Sequence, residues 1–296
     1  MNVLHQSILN TLAFFAAQEQ TCTLLELHVA LFRVSEEQVP VSLTQLQQEL
    51  DELSGKYVTL QNGIYTLADF AHLFALRHNR YINSLKLYKK SRRFVSYLRH
   101  VPFVRAAALS GSVVAGSATE ESDIDLFIIV APTRMYLARA LVSAYFQLFG
   151  GRRHGGKIRK RFCLNHYVTE GVVLEHDHNF YTAVEYINLL AVFGQKIIKE
   201  FFDSNKSWIS RFVLQPDFSM SVYFPYALAA PSRFQKILET LLWPLAGMLE
   251  SGAKVLQRRR IHISETVLVS ENELSFHPES KGQRILERFR EITSQV

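Results

Sequence analysis

The chain is poor in cysteine. Cys22 and Cys163 stand far apart and in no metal-ligand spacing. A disulfide framework is thereby excluded, and a reducing compartment, the cytoplasm, is expected. Long apolar runs are also missing. The nearest candidate, Ile237 to Leu256, is interrupted by Glu239, Glu250 and Lys254 and would be kinked by Pro244. A stretch so broken falls short of the roughly 20 apolar residues that span a bilayer, so a packed or interfacial helix is expected there, without stable membrane insertion. The first residues, MNVLHQSILNTLAFF, lack the charged start and small-residue cleavage site of a signal peptide. There is no internal repeat, no low-complexity tract and no Gly-X-Ser-X-Gly elbow, so a Ser-His-Asp hydrolase has no support. The histidines form no convincing ligand set, and His176-Asp177-His178 reads as an exposed turn.

What is present is ordinary globular material: 48% hydrophobic and 20% charged residues over 296 positions. That length suits two or three compact units with a sizeable core. The net charge of +6 and a pI near 9.3 fit an anionic partner such as a nucleotide or nucleic acid. The charge is uneven, with Arg152, Arg153, Lys157, Arg159, Lys160 and Arg161 close together.

Residues 3 to 17 place Val3, Leu4, Ile8, Leu12 and Phe15 at helical spacing. Thr23 with Glu26, and Ser42 with Gln45, fit capping boxes for two further helices, the second burying Leu43, Leu46, Leu50 and Leu53. Two short β-branched and aromatic runs flank Asn62-Gly63, the signal of a hairpin. Three helices and a hairpin predict a winged helix over 1–67. Its third helix carries Glu49, Asp51 and Glu52 and no Lys or Arg, so phosphate attraction is poor and a packing or protein-interaction module is favoured over DNA binding. Residues 68 to 99 read as one long connecting helix with a solvated basic face.

The chemistry-bearing segment follows. Phe103 to Leu109 is an apolar strand that ends in Ser110-Gly111-Ser112. A glycine after a strand lets the backbone turn tightly and approach a ligand, and Ser112 adds a hydroxyl donor, so this turn can cradle phosphate oxygens. Ser122-Asp123-Ile124-Asp125 then opens a second strand, continued by the apolar run Leu126 to Val130. Residues i and i+2 of a strand share a face. Two carboxylates side by side repel unless a cation lies between them, and Mg²⁺ takes carboxylate oxygens together with substrate phosphates. Thr133 is placed to cap a helix reaching Phe149, and Phe162 to Val168 is a third strand.

The run SGSVVAGSATEESDIDLFIIV resembles the Gly-Ser … Asp-X-Asp motif of the DNA-polymerase-β-like nucleotidyltransferases, especially the minimal and antibiotic-modifying kinds. The wing, the basic loop and the segment Ser275 to Pro278 look like those of bacterial nucleotidyltransferase-domain proteins. The resemblance implies a Mg²⁺-dependent transfer of a nucleoside monophosphate from an NTP, with ATP as the expected donor, to the hydroxyl of a small molecule, a protein or an RNA. Gly111 and Ser112 would hold the triphosphate, with Ser122 and Lys157 beside it, and Asp123 and Asp125 would bind the metal. The family carries a third carboxylate on a later strand. Here Asn165 stands at that place and joins the expected catalytic set. It can offer a carbonyl oxygen to Mg²⁺ but neither charge nor a base. Either His166 or an acid among Glu170, Glu175 and Glu185 substitutes, or turnover is slow, or the domain binds nucleotide as a regulatory module. The loop from Gly150 to Lys157 either neutralises the triphosphate or is a solvated connection, and it lacks the Gly-Lys-Ser/Thr ending of a Walker motif.

The expected fold class is therefore α/β (α+β): a small mixed-sheet nucleotidyltransferase core over 101–180, flanked by the winged helix, the connecting helix over 68–100 and a helical region over 181–296. Tyr181 to Phe202, Pro231 to Arg260 and Lys281 to Thr293 read as helices. Trp243 and the aromatic patch Tyr223 to Tyr226 are expected to pack on the core and shape the acceptor site.

Overall fold

The computed structural model describes residues 1–149, 151, 159–216, 232–261, 267–276 and 281–295, apart from the side chain of residue 165. The N-terminal elements are α1 (Val3–Ala17), β1 (Cys22–Thr23), α2 (Leu24–Val29), α3 (Leu43–Leu53), β2 (Val58–Gln61) and β3 (Ile64–Leu67). Both capping boxes form: Thr23 with Glu26 opens α2, and Ser42 with Gln45 opens α3. Asn62 (φ 53°) and Gly63 (φ 77°) are both left-handed, as the tightest hairpin turn requires. The three strands form a sheet in the order β1-β3-β2. Leu46, Leu50 and Leu53 of α3 are buried, but Leu43, at the first helical position, is 41% exposed, against expectation.

Helix α1 is apolar nearly all round and buried nearly all round from Ser7 to Ala17, the pattern of a helix with neighbours on several sides. It packs on α3 and β3 of its own unit and also on the C-terminal helix α10 (Lys281–Thr293). The Phe14 ring lies 4.5 Å from that of Phe180 and 6.1 Å from that of Phe289. The N-terminal unit is thus built onto the rest of the molecule through one continuous apolar cluster.

The connecting segment is less regular than its sequence pattern. A 3₁₀ turn, Ala68–Leu73, bends at Phe70, α4 follows (Phe74–Val95), and a second 3₁₀ turn ends it (Ser96–His100). Leu87, Tyr88 and Val95 of α4 face the core.

The central elements are β4 (Val104–Ser110), α5 (Gly111–Val114), β5 (Ile124–Val130), α6 (Met135–Leu148), β6 (Phe162–Thr169), α7 (Phe180–Ile187), β7 (Leu190–Phe193), α8 (Gln195–Ile209), α9 (Arg233–Arg260), β8 (Val267–Val269) and β9 (Glu273–Phe276). The strands form one mixed sheet in the order β7-β4-β5-β6-β9-β8, with β5 and β6 parallel and the other neighbours antiparallel. The fold is the mixed α+β class expected from the sequence. Strand alternation divides the core in two. Ala106, Ala108, Phe127 and Ile129 face α7, α8, α10 and the N-terminal unit. Ala107, Leu109, Leu126, Ile128 and Val130 face α4 and α6.

The region after residue 180 departs from a purely helical reading, because it also supplies β7, β8 and β9. Leu190–Phe193 is buried at every position, and a strand covered on both faces shows no alternation by which to tell it from a helix. Gly194 (φ +73°) then turns the chain into α8, and a Cβ there would fall 2.5 Å from the Ala106 Cβ. Helix α9 forms with Pro244 inside it and packs against α6, away from the face that carries Phe127. Trp243 is 66% exposed, with the Arg134 guanidinium 5.5 Å from its ring centre, so it does not shape an acceptor site on the opposite face. Tyr223 to Tyr226 lie outside the described residues. Thr133 does not cap α6. Glu250 of α9 does, accepting from the amides of Tyr136 (2.9 Å) and Leu137 (2.7 Å), a carboxylate at the positive end of a helix. Among the described residues, no helix is long and apolar enough to cross a membrane.

Candidate active site at the Gly-Ser turn and the aspartate pair

Ser110, the last residue of β4, lies in register with Asp125 of β5. The chain therefore turns at Gly111 directly beside the second aspartate. Gly111 has φ +65°, and a Cβ there would fall 2.6 Å from Asp125 Oδ2. Both the left-handed backbone and the close approach demand glycine at this point. The Ser112 carbonyl accepts the Ser117 amide at 2.9 Å, which closes the turn.

The approach to β5 is held from both sides. The Ser122 hydroxyl accepts the Thr119 amide at 2.9 Å, and the Ser122 carbonyl accepts the Lys160 amide at 3.0 Å. The Ile124 amide donates to the Arg161 carbonyl at 2.9 Å. Asp123 and Asp125 share the alternation of Phe127 and Ile129, so they lie on the face that meets α7, α10 and the N-terminal unit. Across the parallel pairing, Cys163 of β6 stands opposite Asp125. The ligand atoms of Asp123, Asp125 and Cys163 all lie within 4.8 Å of one another.

Two clefts meet at this pair. The first, of about 380 Å³, contains Asp123, Ser112 and Ser122 together with Arg80, Lys281, Arg284 and Arg288. Glu19 organises two of these cations: its carboxylate is 2.8 Å from Arg80 and 3.6 Å from Arg288. The hydrogen bond from Arg80 holds the Glu19 carboxyl below its usual range, against a smaller opposing effect of burial. The second cleft, of about 390 Å³, contains Asp125, His166, Tyr181, Glu185 and Glu273, with Lys281 at its edge. His166 Nε2 lies 3.2 Å from Glu273 Oε1. Tyr181 is raised well above the ordinary phenol range, first by the Glu185 charge, then by burial and by Asp125. The Tyr181 hydroxyl therefore stays protonated and can act as a donor.

Gly111 thus lies against Asp125, and Ser112, Ser122 and Asp123 line one cleft. Asn165 lies on β6, two positions beyond Cys163, and its side chain is outside the described residues, as is all of Lys157. Of the acids named as substitutes for the third carboxylate, Glu185 lines the second cleft. Glu170 sits at the far end of β5, its amide bonded to the Val130 carbonyl, about 20 Å along the strand from Asp125 at 3.3 Å per residue. The sequence reading missed the cations of α10. Lys281, Arg284 and Arg288 recur at i, i+3 and i+7, with Ile285, Phe289 and Ile292 on the buried side. That spacing is a signal of one basic helix face.

The site thus places two carboxylates at i and i+2 beside a Gly-Ser turn on a mixed sheet. Residues 89–185 match the family model described as the nucleotidyltransferase domain. The matched segment runs from the end of α4 into α7 and is consistent with the polymerase-β-like superfamily. No curated protein and no solved structure matches the chain. The cationic face of α10 and the N-terminal unit lie outside the matched segment.

Proposed function

We propose that the protein transfers a nucleoside monophosphate from an NTP, with ATP as donor, to a hydroxyl-bearing acceptor with the help of Mg²⁺. The observation that carries this reading is the position of the aspartate pair at the junction of two clefts. Asp123 faces the cationic one and Asp125 faces the other. A triphosphate fits the first: Lys281 and Arg284, beside the Arg80 and Arg288 that Glu19 pairs, oppose its charge, and Ser112 and Ser122 supply hydroxyl donors. The acceptor occupies the second, beside Tyr181 and Glu185.

Asp123 and Asp125 would hold the metal, and their oxygens suit a hard cation. A bound Mg²⁺ supplies Lewis-acid stabilisation of charge on the phosphate oxygens. The acceptor oxygen forms the new bond to the α-phosphorus as the bond to pyrophosphate breaks. We assign the acceptor proton to Glu185, because Glu273 in the same cleft is engaged by His166. Lys281, which lines both clefts, balances charge on the departing pyrophosphate.

A second reading follows from β6. Cys163, not a carboxylate, faces Asp125, which favours a nucleotide-binding regulatory module of slow turnover. Incubation with NTPs labelled at the α-phosphate and Mg²⁺, in the presence of cell extract, separates the two. The first reading expects label on a product, lost by about a thousandfold in Asp123→Ala/Asp125→Ala, as for loss of electrostatic transition-state stabilisation. Binding of NTP with no label transferred would overturn the first reading and leave the second.

A further inference from the structure

We infer that Cys163 is a metal ligand, completing an Asp123–Asp125–Cys163 donor set that binds a thiophilic divalent cation of the Zn²⁺ class more tightly than Mg²⁺. The inference deepens the proposed function, since it concerns the same aspartate pair. Three side chains of two chemical types, from the start of β5 and from its parallel neighbour β6, bring their ligand atoms within 4.8 Å of one another. The β5–β6 register sets this arrangement, because Asp125 and Cys163 are direct cross-strand partners. Both strands lie within the segment that matches the nucleotidyltransferase domain, whose proposed chemistry uses a divalent cation.

The donor set does not suit Mg²⁺ alone. Mg²⁺ demands oxygen ligands in near-ideal octahedral geometry. A thiolate favours Zn²⁺ and other soft or borderline-soft cations, and two carboxylates with one thiolate leave a position open on a tetrahedral ion. The backbone holds Cys163 in place, and it is only 9% exposed. A sulfur at the site discriminates between cations in a way that a third carboxylate would not. Metal identity would then set how the site handles nucleotide: Zn²⁺ occupies all three donors, whereas Mg²⁺ arrives with the NTP and uses the aspartates.

Titration with Cd²⁺ alone, followed by ultraviolet absorption, tests this on the full chain. Sulfur-to-cadmium charge transfer gives a band that oxygen ligands cannot produce. The expected result is a band saturating at one Cd²⁺ per chain, absent in Cys163→Ser, absent in Asp123→Asn/Asp125→Asn, and retained in Cys22→Ser. Competition should show Zn²⁺ displacing Cd²⁺ where Mg²⁺ does not, and Cys163→Ser should weaken Zn²⁺ binding on the order of tenfold or more while leaving Mg²⁺ binding within about twofold. A measurement that needs no variant stands beside it. X-ray absorption at the zinc edge of the native protein loaded with one Zn²⁺ should show one sulfur at about 2.3 Å beside oxygen ligands. No cadmium band in the native protein, a band that survives loss of the aspartates, or a zinc shell of oxygen and nitrogen only would overturn the inference. None of these readouts involves nucleotide. Failure here with Mg²⁺–NTP binding intact leaves the proposed function standing, and a cadmium band without NTP binding does the reverse.

Discussion

The two walls of the cationic cleft have opposite origins. One wall, the Gly111-Ser112 turn and the start of β5, comes from residues close in sequence. Its geometry follows from a glycine that must turn and from the two-residue repeat of a strand. The other wall comes from Arg80 on α4 and from Lys281, Arg284 and Arg288 on α10, at the far end of the chain. Tertiary contacts bring it there: Phe289 of α10 packs against Phe14 of α1, and Glu19 pairs with Arg80 and Arg288. The motif wall supplies Asp123, and the assembled wall supplies the positive charge. On the proposed reading, a short motif sets the chemistry of this site while distant elements that carry no motif set its affinity for an anion.

The contrast is broken most severely at Gly111. Gly111→Ala would place a methyl group 2.6 Å from Asp125 Oδ2 on a left-handed backbone. The left-handed conformation alone costs about 1–2 kcal/mol, and the clash displaces the carboxylate. Mg²⁺-dependent nucleotide binding should fall about a hundredfold or more, as expected when metal-site electrostatics are misplaced. Titration calorimetry beside a thermal melt would show a loss of binding far larger than the loss of stability. An unchanged affinity would mean that the turn does not position Asp125.

The assembled wall is weakened next. Arg284→Ala/Arg288→Ala should reduce affinity for the Mg²⁺–NTP complex about tenfold, at 1.5–3 kcal/mol for charge-assisted hydrogen bonds discounted for exposure. It should also flatten the salt dependence of binding, while Asp123 and Asp125 still bind metal without nucleotide. Equal affinity at low salt would assign the triphosphate to a different surface.

The smallest effect on the site comes from the opposite face of the sheet. Glu250→Gln removes the carboxylate that caps α6 and should lower stability by about 1 kcal/mol in denaturant unfolding. Nucleotide affinity should stay within about twofold, because α6 and α9 lie away from the aspartates. A large loss of binding would show that the two faces of the sheet are coupled.

The same distinction between local and assembled structure explains what could be read from the sequence. The capping boxes at Thr23 and Ser42, the Asn62-Gly63 turn and the strands β4 and β5 all rest on interactions within a few residues, and each forms. The replacement of Thr133 by Glu250 as the cap of α6 is a contact between residues more than a hundred positions apart. Strand β7 was hidden because burial on both faces erases its period. The face chosen by α9, which turns Trp243 outward, also depends on tertiary packing. At the site itself, the Gly-Ser turn and the aspartates were legible. The place of Cys163 was not, because it depends on an irregular β5–β6 register, in which the pairing slips between Asp125 and Phe127.

The central claim is that the aspartate pair and the cationic cleft together form a Mg²⁺–nucleotide site. Calorimetric titration of each NTP with Mg²⁺, on the native protein and on Asp123→Ala/Asp125→Ala, tests it most directly. The account predicts saturable binding that requires Mg²⁺ and is lost in the double variant. Folded native protein that binds no NTP, or a double variant that binds as tightly as the native chain, would contradict it.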